Sequence, residues 1–159
     1  MPPIDSMLSD VQLANLRGAY DAAKMADLLS SKMPSLDPDT AGYVAQIRQA
    51  FYDRCRMEPK DRERCLIGIL ASRDAGLNLA LHVYVGLMEG LSPHDVADVV
   101  FLGGIYTGVD RISDGLDTVT RTLTVLARLA GRDESREVPV GDVAAALVAA
   151  FKPPLPSPT

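Results

Sequence analysis

The segment from Ala75 to Met88 constrains this chain more than any other. Leu77, Leu79, Ala80, Leu81, Val83, Tyr84, Val85, Leu87 and Met88 leave it almost no polar face. A helix that is apolar nearly all round is a central one, enclosed by neighbouring helices or by another subunit. Strand-type alternation does not persist anywhere, and Ala and Leu dominate the apolar stretches. The reading is an all-α, multi-helix bundle. A length of 159 residues suits one domain with a real core, and with three Phe, five Tyr and no Trp that core has to be aliphatic.

Helix punctuation divides the rest. Ser9 caps a first helix, along which Leu13, Leu16, Tyr20 and Ala23 recur at helical spacing as far as Ser30 and Ser31. The break follows at Met33 to Pro38. Asp37 caps a second helix with Pro38 at its first position and Val44, Ile47, Phe51 and Cys55 as its apolar stripe. Pro59 opens a third, with Asp61 and Glu63 in its first turn, where acids suit the partial positive charge. Gly90 stops the central helix, and Ser92-Pro93-His94-Asp95 restarts the chain with a cap, a proline and an acid three residues on. That fifth helix runs to about Gly108 and carries Gly103 and Gly104, which suit the close approach of another backbone or a ligand. Asp110 caps a sixth, whose Ile112, Leu116, Val119, Leu123, Leu126 and Ala130 make a coiled-coil-like seam ended by Gly131. A short Ala-rich helix spans about Gly141 to Phe151. The expected division is one helical domain over 1–152 and a Pro-rich extended tail over 153–159. The central helix and the seam carry more apolar surface than one small bundle needs, which points to a homo-oligomer.

Several function classes fall away on composition. The net charge of −5, from 16 basic and 21 acidic residues, leaves no basic footprint for nucleic acid. No apolar run reaches the ~18 residues of a membrane span, and Met1-Pro-Pro-Ile-Asp has no signal-peptide character, so a cytoplasmic protein without a membrane partner is expected. Cys55 and Cys65 have no secretory context in which to pair. Two histidines twelve positions apart, without paired cysteines, lack metal-ligand spacing, so no metal is expected. No phosphate loop, nucleophile elbow or dinucleotide fingerprint is present, and no cofactor is expected.

The candidate chemistry lies on the central helix. Asn78 and His82 are four apart and share one face, which continues through Gly86 toward Glu89. A polar residue within an apolar helix has to find a partner. His82 as a proton-transfer group in a pocket, with Asn78 orienting substrate or water, is one reading. The other is a histidine held by a carboxylate or carbonyl for structure alone. Glu63 by itself is an ordinary first-turn acid. His94 beside a cap reads as exposed, Tyr106 as a core tyrosine or one facing a pocket near Gly103 and Gly104, and Cys65 as a packed small residue rather than a reactive thiol.

Four stretches together carry a family resemblance: Asp61 to Ala71, Leu81-His82-Val83, Met88 to Val99, and Ile105 to Val109. The region of about 59–116 resembles the carboxymuconolactone decarboxylase and alkylhydroperoxidase D-like family. The redox branch of that family has a glutamate, eleven intervening residues, then Cys-x-x-Cys-x-x-x-His. Counting back from His82 puts the glutamate at Glu63, whereas Ala75 and Asn78 stand where the cysteines belong. Without a dithiol the thiol peroxidase chemistry has no electron carrier. The resemblance therefore implies the cofactor-free, decarboxylase-like branch, a carboxymuconolactone decarboxylase-like bundle, and assembly as a trimer or hexamer. It implies His82 and Glu63 as the catalytic acid/base pair acting on a small carboxylated or cyclic substrate by decarboxylation, lactone opening or isomerisation. On that reading Asn78 stabilises an enolate oxygen, Arg73 or Arg64 holds a substrate carboxylate, and Tyr106 borders the pocket. The rival expectation is a non-catalytic protein that binds a small ligand or acts as an oligomeric scaffold, with His82 sealed among side chains.

Overall fold

The computed structural model describes residues 3–31, 38–73, 76–131 and 137–151. After a short 3-10 turn at Ile4–Ser6, the described residues form eight α-helices and no strand. They are α1 (Asp10–Gly18), α2 (Ala22–Ser31), α3 (Pro38–Arg54), α4 (Pro59–Ser72), α5 (Gly76–Met88), α6 (Pro93–Thr107), α7 (Val109–Ala130) and α8 (Val140–Phe151).

The apolar α5 sits at the centre, with α4, α7, α8 and α1 packed around it. Leu79, Val83, Tyr84 and Leu87 are fully enclosed there. Its exit is closed by Gly90 at φ 96°, which lets Leu91 N–H reach back to Gly86 O at 2.8 Å. Arg17 of α1 donates from Nε and Nη2 to Leu87 O (3.2 and 2.8 Å), giving a cation to carbonyls that the helix end leaves open. Helices α4, α6 and α7 form a second layer of contacts. The paired glycines serve it: a Cβ on Gly104 would fall 2.0 Å from Ile112 Cγ1, and Gly103 lies against Gly68 O. The close approach expected at these glycines is that of neighbouring helices. The seam of α7 is buried at Val119, Leu123, Leu126 and Ala130.

Three local expectations need correction. The first helix is two, α1 and α2, because the chain breaks after Gly18 and Asp21 Oδ1 then accepts from Ala23 N–H and Lys24 N–H to start α2. Asp110 lies in the first turn of α7, which starts from Gly108 at φ 122° with no side-chain cap. The stripe of α3 does not face a core: Ile47 is 56% and Phe51 63% exposed, and Cys55 is half-buried. The Val44 side chain, Asp37, Ala75 and the tail over 153–159 lie outside the described residues.

The source of the surplus apolar surface also differs. Helix α5 and the α7 seam are covered within the chain itself, and among the described residues the uncovered large apolar groups are on α3, at Met57 after it, on α4 at Ile69, and from Phe101 to Val109. No described helix is long and apolar enough to cross a membrane.

Candidate functional site

Glu63 enters the interior as part of a helical stripe. With Ile67 and Ala71 it forms the buried side of α4, one residue per turn, and it is only 2% exposed. A carboxylate carried into the core in this way needs a polar partner, and α5 supplies one. His82 Nδ1 lies 2.8 Å from Glu63 Oε2. Gly86, one turn after His82, allows the two helices to approach this closely. A Cβ there would come within 2.7 Å of Leu91 Cδ1 and 3.1 Å of Ile67 Cδ1, with Glu63 Cβ at 3.6 Å. With Glu63 accepting, Nδ1 donates, and the lone pair of the ring then resides on Nε2.

The pair borders a cavity of about 370 Å³, within the size range of small-molecule sites. Helix α5 presents His82 and Val85 to it, Glu89 joins them from the turn just past the helix end, and α4 presents Arg62 and Glu63. Tyr20, Ala22, Ala23, Met25 and Ala26 close one side, and Arg48, Gln49 and Tyr52 of α3 the other. Arg62 Nε is 3.7 Å from Glu63 Oε1, its guanidinium sits 4.5 Å over the Tyr52 ring, and the buried Nε has no hydrogen-bond partner among the described residues. Tyr20 donates to Glu89 Oε1 at 3.2 Å. Burial first, then the Glu89 charge and hydrogen bond, raise the Tyr20 phenol far above its ordinary value, so it stays a protonated donor. Tyr84 packs edge-on against Tyr20, and burial pushes its phenol up to about 12; its hydroxyl is buried with no hydrogen-bond partner among the described residues. The site thus combines an acid/base pair, two guanidinium groups, a second carboxylate and an apolar wall of alanines, Met25 and Val85.

Of the residues that the sequence singles out, Glu63 and His82 meet at this cavity and the others lie elsewhere. Asn78, one turn before His82, is exposed and outside the cavity lining, because the cavity meets α5 on the side of residues 82, 85 and 89. Arg73 is exposed at the end of α4. Arg64 is held on the protein surface by Asp61 (2.7 Å) and Asp95 (3.1 Å). Tyr106 is 85% exposed and does not border the cavity. The cations at the cavity are Arg62 and Arg48. Glu89 was readable as the continuation of the His82 face seven residues on. Nothing in the sequence indicates that the polar side of α3 and Tyr20 would close the space. His94 pairs with Asp98 at 3.1 Å on the exposed start of α6, and both cysteines are free thiols. Among the described residues no group of three or more His, Cys, Asp or Glu side chains is placed to hold a metal ion.

No family model matches the chain, and no characterised protein and no solved structure matches it. Its chemistry is read from the geometry of this site.

Proposed function

We propose that the protein is a cofactor-independent acid/base enzyme, with His82 as the proton-transfer group and Glu63 as the carboxylate that orients it. The observation that carries this reading is the 2.8 Å contact of His82 Nδ1 with the buried Glu63 at the edge of a ligand-sized cavity. Such a pair fixes the tautomer, leaves Nε2 as the base, and offsets the charge that develops when the imidazole takes a proton. In the scheme, Nε2 takes a proton from a carbon next to a substrate carbonyl. The electron pair moves to the carbonyl oxygen as an enolate, and the proton returns from Nε2 to carbon or to a leaving oxygen. Isomerisation and lactone opening reach the enolate by this proton removal. In decarboxylation the bond from carbon to the carboxylate breaks instead, CO2 leaves, the electron pair of that bond forms the enolate, and a protonated Nε2 delivers the proton to carbon. Arg62, whose Nε lies 3.7 Å from Glu63 Oε1 and has no hydrogen-bond partner among the described residues, is the donor for the enolate or a substrate carboxylate, with Arg48 as a second cation across the cavity. The substrate is a small carboxylated or cyclic metabolite, its apolar part against Ala22, Ala23, Met25 and Val85.

The resemblance to the carboxymuconolactone decarboxylase-like family, in the branch without the redox cysteines, agrees with this assignment and with a lyase or isomerase that assembles as a trimer or hexamer. The alternative of a scaffold protein predicts a sealed histidine, and the cavity beside His82 weighs against it; a non-catalytic protein that binds a small ligand there is told apart by the exchange test below. The test is deuterium exchange at the α-carbon of small 2-oxo acids and carboxylated lactones, followed by NMR. Exchange driven by wild type and lost in folded His82→Ala and Glu63→Gln supports the reading. Equal exchange in wild type and His82→Ala removes it.

A further inference from the structure

Helix α3 is arranged inside out. Arg48, Gln49 and Tyr52 face the cavity, whereas Tyr43, Ile47 and Phe51, one turn apart on the nearly opposite side, are 66%, 56% and 63% exposed. Among the described residues α3 has no extended packing against another helix. Among the described residues, its side-chain tie to the bundle is the stacking of the Arg62 guanidinium on the Tyr52 ring. A contact of that kind contributes about 0.5–1 kcal/mol at an exposed site, too little by itself to hold a 17-residue helix as one wall of a binding site.

A second uncovered apolar face lies on α4 and α6. Ile69, Phe101, Leu102, Ile105, Tyr106 and Val109 are each more than half exposed, and the approach of Gly103 to Gly68 brings the two helices together beneath them. At about 200 Å² for a fully exposed large side chain, this face presents on the order of 700 Å² and the α3 stripe about 350 Å². Joined, they reach roughly 1,000 Å² before any polar rim is counted, the size at which a specific interface becomes stable. The borders differ in charge as well: Arg54 extends the exposed α3 stripe, with Arg56, Asp53 and Glu58 exposed around it, whereas Asp98, which pairs with His94, and Asp110 and Asp114 are exposed beside the α6 face. A contact of the α6 face with itself would leave the α3 stripe in water and bring these aspartates together.

The geometry points to a head-to-tail contact in which the α3 stripe of one copy seats on the α4–α6 face of a second copy, fixing α3 as the outer wall of the cavity. The inference rests on the association that the proposed function includes, and not on its proton chemistry. The contact uses two different faces, so it propagates from copy to copy and closes a ring when the rotation allows. The catalytic cavity is then complete only in the assembly.

Two exposed-residue variants test this by sedimentation at micromolar concentration, with circular dichroism to verify folding. Wild type is expected to associate, and Ile47→Glu and Ile105→Glu each to sediment as monomers. Mixing the two variants is expected to restore a dimer, because the Ile105→Glu copy keeps an intact α3 stripe and the Ile47→Glu copy an intact α4–α6 face. Trypsin cleavage after Arg48 and Arg54 is expected to be at least several-fold faster in Ile105→Glu than in wild type, and slowed again on mixing. A monomeric wild type overturns both the association and this contact. An associated wild type whose variants stay associated, or whose monomeric variants do not pair on mixing, overturns the contact alone. Equal cleavage in wild type and Ile105→Glu overturns the coupling of α3 to assembly.

Discussion

Helices α5 and α3 both line the cavity, and they are held there by opposite means. Helix α5 is apolar on every side and enclosed by its own chain, so His82 stands on a rigid support. Helix α3 turns its polar side inward and leaves its apolar side in solvent. The difference separates two tasks. The His82–Glu63 pair belongs to the tightly packed α4–α5 contact, where, on the proposed function, a misplacement of about 1 Å would be costly. The arginine, glutamine and tyrosine of α3 belong to a wall that the rest of the chain barely fixes. Stability and exchange should therefore be distributed unevenly over the molecule.

The contrast is broken most directly by comparing truncations in the dissociated chain. Leu87→Ala, at a fully buried site on α5, is expected to lower unfolding stability by about 2–5 kcal/mol. Phe51→Ala on α3 is expected to change it by no more than about 0.5 kcal/mol. Equal losses in urea unfolding would show that α3 belongs to the core. Gly86→Ala probes the support of the pair itself. The new methyl would press on Leu91 and Ile67, with an expected cost of about 1–3 kcal/mol and loss of the His82–Glu63 hydrogen bond in the NMR spectrum. An unchanged stability and spectrum would show that the helices have slack.

Smaller effects sharpen the picture. Tyr84→Phe removes a buried hydroxyl that has no partner and is expected to stabilise the chain by about 1 kcal/mol, read as a higher urea midpoint; destabilisation would reveal a hidden partner for the hydroxyl. The smallest effect concerns the cap of α6. The Ser92 backbone N–H, then its hydroxyl, and then Arg64 hold the Asp95 carboxyl down to about 2, from an ordinary value of 3.8. A depressed carboxyl contributes stability above its unfolded value and loses it as pH falls through the folded one. The advantage of wild type over Asp95→Ala is expected to be full above pH 4 and to fade towards pH 2. A pH-independent difference would contradict this account of the cap.

Much of this architecture is legible in the sequence because its signals are local. The all-round apolarity of α5, the Ser92 capping box and the stop at Gly90 each follow from a few adjacent residues. Glu63 and His82 were candidates from spacing and resemblance, but their meeting depends on Gly86, whose role as a close-approach point appears only in three dimensions. The substrate-binding candidates are near neighbours of the pair along the chain, and helical rotation takes Asn78 and Arg73 away from the cavity while Arg62 lines it. The orientation of α3 was not legible at all. Its stripe has ordinary helical spacing, and periodicity identifies an apolar face without saying what will cover it.

The central claim is that Glu63 holds the Nδ1 proton of His82 and leaves Nε2 as the base facing the ligand. The nitrogen-15 spectrum of the His82 ring in the wild-type protein at neutral pH reads this directly. A protonated Nδ1 with an unprotonated Nε2, altered in Glu63→Gln, is the predicted result. A proton on Nε2 in the wild type, or a ring spectrum indifferent to Glu63→Gln, would contradict it.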